Sequence, residues 1–336
     1  MDENEKATWR QTLRSKFKTL DKRKVLIYAV AGILYISGIL LMIILPIKLL
    51  PATPASTAAQ DLNVGNNNNY LPDSCPIYTV IASSTSGAPL SEGRLQLPFQ
   101  RPTSQCRTFT SDAMEKLITN MTSRMVDKDL ARLFENAYPN TLGIRFPLYG
   151  SNGLDTTISW YTLDESNPLS YVITGDIPAQ WIRDAAHQFA PYLPLLPYDA
   201  NLRALFRGLI NLEARHIASF PYCNAFQPPT ESGLAPQSTP SNVRVVPSID
   251  STVYQCKWEI DSLASFLRLS WGYYQYSNGD SSFINSNWQN AVQSIMKVLQ
   301  AQSLPTINAD GSVNVPAYTY QPGDSRAVPY LCPEFS

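Results

Sequence analysis

Val25 to Ile47 is an unbroken uncharged run, VLIYAVAGILYISGILLMIILPI, and it constrains this chain more than any other stretch. As a helix it would span about 34 Å, enough to cross the hydrocarbon core of a bilayer. It is too long for the apolar region of a secretory signal, and the bulky IILPIKLL that closes it suits a cleavage site poorly. A buried core helix would show an amphipathic face, and none is visible here. We therefore expect a transmembrane helix over residues 25–47. Residues 1–24 carry eight Lys and Arg (Lys6, Arg10, Arg14, Lys16, Lys18, Lys22, Arg23, Lys24) against four acids. The positive-inside rule then makes 1–24 a cytosolic basic tail and sends the rest across, giving a single-pass type II topology with its bulk lumenal (ER or Golgi) or extracellular.

The remaining sequence fits an oxidising compartment. All five cysteines (Cys75, Cys106, Cys223, Cys256, Cys332) follow the apolar run, and their spacings match no zinc motif. Cys75 with Cys106 is the expected pair, a loop worth about 3–4 kcal/mol in the chain-entropy model, and the odd count leaves one thiol over. Asn120-Met121-Thr122 is a glycosylation sequon. Residues 48–70, which include PATPASTAAQDLNVGNNNN, hold too few large apolar side chains to offset ordering entropy and are expected to be a flexible stem. Residues 71–336 form the expected folded domain. A net charge of −1 gives no field for nucleic acid, and no nucleic-acid partner is expected.

After a Pro-rich stretch to Arg107 the pattern turns helical. Ser111 can cap a helix carrying Met114, Leu117, Ile118, Met121 and Met125. A shorter helix over Asp127–Ala137 carries Leu130, Leu133 and Phe134. Thr157–Tyr161 and Ser170–Thr174 read as a β-hairpin that delivers the chain into Gly175-Asp176, with Pro178 suited to the first turn of the helix that follows. Asp199 caps a helix with Leu202, Leu205, Phe206, Leu209, Ile210 and Ile217 in a 3.6 period. Lys257–Tyr274 would turn Ile260, Leu263, Phe266, Leu267 and Trp271 inward, and Ser281–Ala301 carries Phe283, Ile284, Trp288, Val292, Ile295, Met296 and Leu299. Helices joined by variable loops, with polar-aromatic clusters at their starts, suggest an all-α toroid whose loops build a site at one end.

Three short segments concentrate the chemistry. TGDIPAQWIRD (Thr174–Asp184) sets Asp176, Trp181, Arg183 and Asp184 within nine residues; YCNAFQ (Tyr222–Gln227) places Asn224 among aromatics; KWEIDSL (Lys257–Leu263) brings Trp258, Glu259 and Asp261. Indole faces stack on sugar C–H faces, and carboxylates, amides and a forked Arg meet the hydroxyls. The structural alternative is helix-end ion pairs. There is no HExxH, no phosphate-binding glycine loop and no GxSxG, and His187 and His216 lack imidazole partners at helical spacing, so neither a metal nor a cofactor is expected. Carboxylates remain, the groups used in glycoside hydrolysis.

These three segments, in this order and spacing, resemble signature segments of glycoside hydrolase family 125. The resemblance covers about Ser111 to Leu299. It implies an (α/α)6 barrel and a metal-independent, inverting exo-α-1,6-mannosidase acting on mannose-containing glycans. It also implies that Asp176, Arg183, Asp184, Asn224, Glu259 and Asp261 line or brace the sugar pocket, with Trp181 and Trp258 as walls. In that family the general acid follows an Arg-Pro-Ser-Asp-Asp-type segment, and a Glu general base lies later. This sequence has no such segment, so its catalytic pair is unassigned.

A closed barrel needs twelve helices, and about six are countable after the apolar run. The fold expected is therefore a partial (α/α)6 toroid of six-hairpin glycosidase type with a small β-hairpin, an incomplete catalytic domain. Such a truncated chain is expected to expose apolar helix faces, to bind ANS and to turn over no α-mannoside alone. Two alternatives stand beside this: a membrane-anchored mannose- or glycan-binding protein without turnover, and a complete enzyme in which Asp184 works with Glu259 or Asp261 as acid and base.

Overall fold

The computed structural model describes residues 89–143, 157–164, 166–175, 177, 179–238 and 244–321. The basic tail, the run Val25–Ile47, the stem, Cys75, Asp176 and Pro178 lie outside them. Among the described residues no helix is long and apolar enough to cross a membrane.

Three helix starts follow from the sequence. The Ser111 hydroxyl accepts the Met114 amide at 3.2 Å and opens α1 (Asp112–Arg124), which buries Met114 and Ile118. Asp127 caps α2 (Lys128–Ala137) by accepting the Asp129 and Leu130 amides at 2.9 and 3.1 Å. The apolar stripe carried by this helix is not all covered: Leu130 and Leu133 are 52% and 55% exposed. The buried residues of α2 are Asp129 and Ala131. The Asp129 carboxylate turns in to accept the Ser91 hydroxyl at 2.6 Å and the Leu95 amide at 2.7 Å, which pins the 91–97 loop. Leu130, Leu133, Met125, Phe134 and Tyr192 are left lining an open apolar groove of 410 Å³.

The hairpin forms as read. β1 (Thr157–Thr162) pairs antiparallel with β2 (Leu169–Ile173), from Thr157↔Ile173 to Thr162↔Leu169, with an irregularity between Ile158 and Trp160. Next come β3 (Gln180–Trp181) and α3 (Ile182–Phe189), which begins four residues after Pro178. The chain leaves α3 in a 3-10 run over Ala190–Tyr198, where Pro194 and Pro197 remove the amides an α-helix would need.

The Asp199 carboxylate accepts the Leu202 amide at 2.9 Å and starts α4 (Ala200–Ser219), the central helix. Its expected apolar stripe is buried in full. Gly208 lets α4 press directly on β2: a Cβ there would fall 2.4 Å from the Ser170 hydroxyl oxygen and 2.8 Å from the Leu169 carbonyl carbon. Then follow β4 (Ala225–Phe226), β5 (Arg244–Val246), β6 (Val253–Gln255), α5 (Ile260–Tyr276), α6 (Ser286–Gln302) and β7 (Thr319–Gln321). α6 packs along α4 and α5 along α3.

α6 starts five residues later than expected because Asn285 is the functioning cap, accepting the Trp288 amide at 3.0 Å. Asn285 and Asn287 also donate their side-chain amides to the buried Asn211 Oδ1 of α4, while Asn211 Nδ2 donates to Asn167 Oδ1 and the Pro168 carbonyl. One amide thus joins the hairpin turn, α4 and α6. On α5 the buried stripe is Leu263, Phe266 and Tyr273. Ile260, Leu267 and Trp271, expected inward, lie with Tyr274 on a second face that is open to solvent, Trp271 at 59% exposure. The helix has more apolar residues than one stripe can hold. The molecule is mostly helical, as expected, but beside the hairpin it has two further small sheets: β3–β4–β6 and β5–β7.

Candidate active site

The sheet β3–β4–β6 brings the three chemistry-bearing segments side by side. Gln180 pairs with Phe226 and Trp181 with Ala225; on the other edge Ala225 pairs with Gln255 and Phe226 with Val253. α3 leaves β3 at Ile182, and α5 begins five residues after β6 ends, with Glu259 as its N-cap. β3 and β6 run in the same direction on either side of β4, so the first turns of the two helices start from one end of the sheet.

Arg183 sits between them. Its Nε donates to Asp184 Oδ1 at 3.1 Å, and one terminal nitrogen donates to Glu259 Oε2 at 3.2 Å and Asp261 Oδ2 at 3.0 Å. The hydrogen bond that Arg183 donates to Asp261 chiefly holds the guanidinium pKa above its ordinary value; burial opposes this, and Asp184 and Glu259 add to it. The Ser262 hydroxyl donates to Glu259 Oε2 at 3.1 Å. Each carboxylate meets Arg183 through one oxygen, so the second oxygen of each remains an acceptor. One cation against three anions leaves a surplus of negative charge at a partly open mouth.

Asn224 sits beneath this mouth, buried, and acts as a connector. Its carbonyl accepts the Ile182 amide at 3.1 Å, its Oδ1 accepts the Lys257 amide at 3.0 Å, and its Nδ2 donates to Gln255 Oε1 at 3.2 Å. Next to it, Cys223 and Cys256 form a disulfide across 33 residues. Trp181 is half-buried and meets Tyr254 edge-on at 6.3 Å. Trp258 is half-buried as well and packs against the hydrophobic core, with its indole N–H shielded from solvent and without a hydrogen-bond partner.

The structure thus gathers Trp181, Arg183, Asp184, Asn224, Trp258, Glu259 and Asp261 in one region; Asp176 lies outside the described residues. Sequence reasoning missed the Cys223–Cys256 bond. The signal was available: the cysteines stand one residue before Asn224 and three before Glu259, so if the segments converge, the thiols meet. Of the expected pair, Cys106 is disulfide-bonded and Cys75 lies outside the described residues. Asn120 lies within α1, half-buried, with its side-chain carbonyl oxygen shielded.

Two buried titratable groups lie behind the sheet on α4. The His216 ring stacks on Phe226 at 4.2 Å and 5°, and burial, aided by the neighbouring Arg215 charge, pushes its pKa down to about 3. Burial drives the Glu213 carboxyl well above its ordinary range, and neither of its oxygens has a hydrogen-bond partner. His216 is therefore neutral at neutral pH.

A model of the family described as metal-independent alpha-mannosidase (GH125) matches residues 127–332, more than half of the chain. The chain belongs to this family. Its relative in Schizosaccharomyces pombe, the meiotically up-regulated gene 157 protein, is 45% identical over 257 residues, 76% of this chain and 48% of the relative. The GH125 chain described here therefore spans about half the length of that curated relative. Among solved structures, a metal-independent alpha mannosidase of Streptococcus pneumoniae, in a non-productive complex with alpha-1,6-mannobiose, is similar at 21% identity and a TM-score of 0.47, over 65% of this chain and 44% of that one.

Proposed function

We propose that the Arg183 cluster binds the terminal mannose of an α-1,6-linked mannosyl glycan, within a partial (α/α)6 toroid that serves metal-independent, inverting exo-hydrolysis. Membership of GH125 supports the reaction class. One observation carries the site: a single guanidinium holds carboxylates from two segments 76 and 78 residues apart, with an indole beside them and an acceptor oxygen to spare on each acid. The spare oxygens take hydroxyl protons, and the Trp181 face takes a C–H face of the ring. Orientation across a secretory-pathway membrane, with Val25–Ile47 as anchor, belongs to the same proposal, and protease protection of the bulk of the chain in sealed microsomes tests it.

The direct test of the site is calorimetric titration of the purified chain with α-1,6-mannobiose, beside the α-1,6-linked glucose disaccharide. We expect mannobiose to bind and the glucose disaccharide to fail. Equal binding of the two, or a requirement for a divalent metal, would sink the reading.

A second reading, glycan binding without turnover, has an observation of its own. Glu259 Oε2 and Asp261 Oδ2 both lie within hydrogen-bond reach of one nitrogen. That is closer together than the roughly 6.5–9.5 Å an inverting acid–base pair needs to admit a water. Glu259 and Asp261 therefore do not serve as such a pair with each other. Proton NMR of mannobiose with the chain separates the two: β-mannose released first supports inverting hydrolysis, and an unchanged disaccharide that still binds supports the second reading.

A further inference from the structure

The ion pairs at the mouth cannot hold their own geometry. Their side chains are between 28% and 55% exposed, and pairs so open to water contribute little each. The sheet beneath offers only two residue pairs on each side of β4, with an irregularity between Ala225 and Phe226. Packing of α3 along α5 sets how far apart the axes lie, but neighbouring registers differ by one turn, about 5.4 Å. A slip of that size would carry Glu259 and Asp261 out of reach of Arg183, which now bonds them at 3.2 and 3.0 Å.

What fixes the register is the dipeptide Cys223–Asn224. On one side the Asn224 carbonyl takes the amide of Ile182, the residue before Arg183. On the other, Asn224 Oδ1 takes the Lys257 amide and Cys223 is covalently joined to Cys256, three residues before Glu259. Both sulfur-bearing residues and Asn224 are buried, out of competition with water. We infer that the Cys223–Cys256 disulfide and Asn224 form a positioning clamp that holds Glu259 and Asp261 against Arg183 and so sets mannoside affinity. The inference rests on the proposed function of that cluster, and it concerns residues buried behind it.

Four full-length chains test it: wild type, Cys223→Ala/Cys256→Ala, Asn224→Ala, and Val298→Ala on α6 as a destabilised control remote from the mouth. Each is examined at a temperature well below its melting point, by titration with α-1,6-mannobiose and by hydrogen exchange at the Arg183 Nε–H. The clamp predicts mannobiose binding about tenfold weaker in the cysteine double variant, with faster Arg183 exchange, and a smaller loss of both in Asn224→Ala. Val298→Ala should melt lower yet bind and exchange as wild type does. Should the double variant not fold, Asn224→Ala carries the test, because its disulfide is intact. Wild-type affinity and exchange in a folded double variant overturn the clamp, as does an equal loss in Val298→Ala. If wild type binds no mannobiose, the proposed function fails, and the Arg183 exchange comparison still decides the clamp.

Discussion

Two ion clusters in this molecule use the same groups in opposite proportion. Beside α1, one carboxylate is shared by two cations: Arg101 bonds both oxygens of Glu115, and Arg107 adds a contact at 2.9 Å. At the mouth of α3, one cation is shared by three carboxylates. Burial pushes the Glu115 pKa up, but the hydrogen bond and charge of Arg101, with Arg107, more than cancel this and leave it below its ordinary value. Its acceptors are used, and the Arg101 side chain is only 5% exposed. That cluster closes on itself and is a brace. The Arg183 cluster keeps spare oxygens and an excess of negative charge, the condition for receiving hydroxyl donors. Glu213 extends the series to its limit, a carboxyl with no hydrogen-bond partner on either oxygen, whose pKa burial drives well above its ordinary range.

The largest effect should come from breaking the brace. Glu115→Ala strands the buried Arg101 charge and should cost about 3 kcal/mol in urea unfolding, at the low end for broken buried pairs because the Glu115 side chain is 37% exposed. Mannobiose affinity should not move. Arg183→Ala should do the reverse, weakening mannobiose about 100-fold while changing stability by less than about 1 kcal/mol. If both variants shift the same quantity, the contrast between brace and site is wrong.

Glu213→Gln should stabilise the chain by about 1–2 kcal/mol at pH 8, since Gln matches the protonated acid and cannot ionise. The sign follows from linkage. A carboxyl pKa raised on folding contributes its full stability below the unfolded value and loses it as pH rises through the folded one. His216 acts oppositely: the folded state binds fewer protons between about 3 and 6.5, so stability climbs with pH across that window. Thermal melts of Glu213→Gln from pH 3 to 9 should lose the alkaline decline, and those of His216→Phe, which keeps the stack on Phe226, should lose part of the acid one. The smallest effect belongs to Arg107→Ala, about 1 kcal/mol or less, because Arg101 still pairs with Glu115.

Much of this was legible before any coordinates. Ser111 and Asp199 cap the helices their sequence positions promised, and Asp127 caps the helix expected to begin at it, since N-capping is decided within three residues. The convergence of Arg183 and Asp184 with Glu259 and Asp261 was readable because charges in apolar surroundings need partners. The β3–β4–β6 sheet was not: strands of two or three residues are shorter than any period that could announce them. The outward face of α5 was hidden for the opposite reason. Ile260, Leu267 and Trp271 are as apolar as Leu263 and Phe266, and only tertiary packing decides which stripe is covered.

The junction at Asn211 has a consequence for where this chain can work. Every member of that knot is an amide or a backbone carbonyl, so none gains or loses a proton across the acidities of living compartments. Salt and pH can tune the charged rim, while the joint between hairpin, α4 and α6 keeps the same shape throughout.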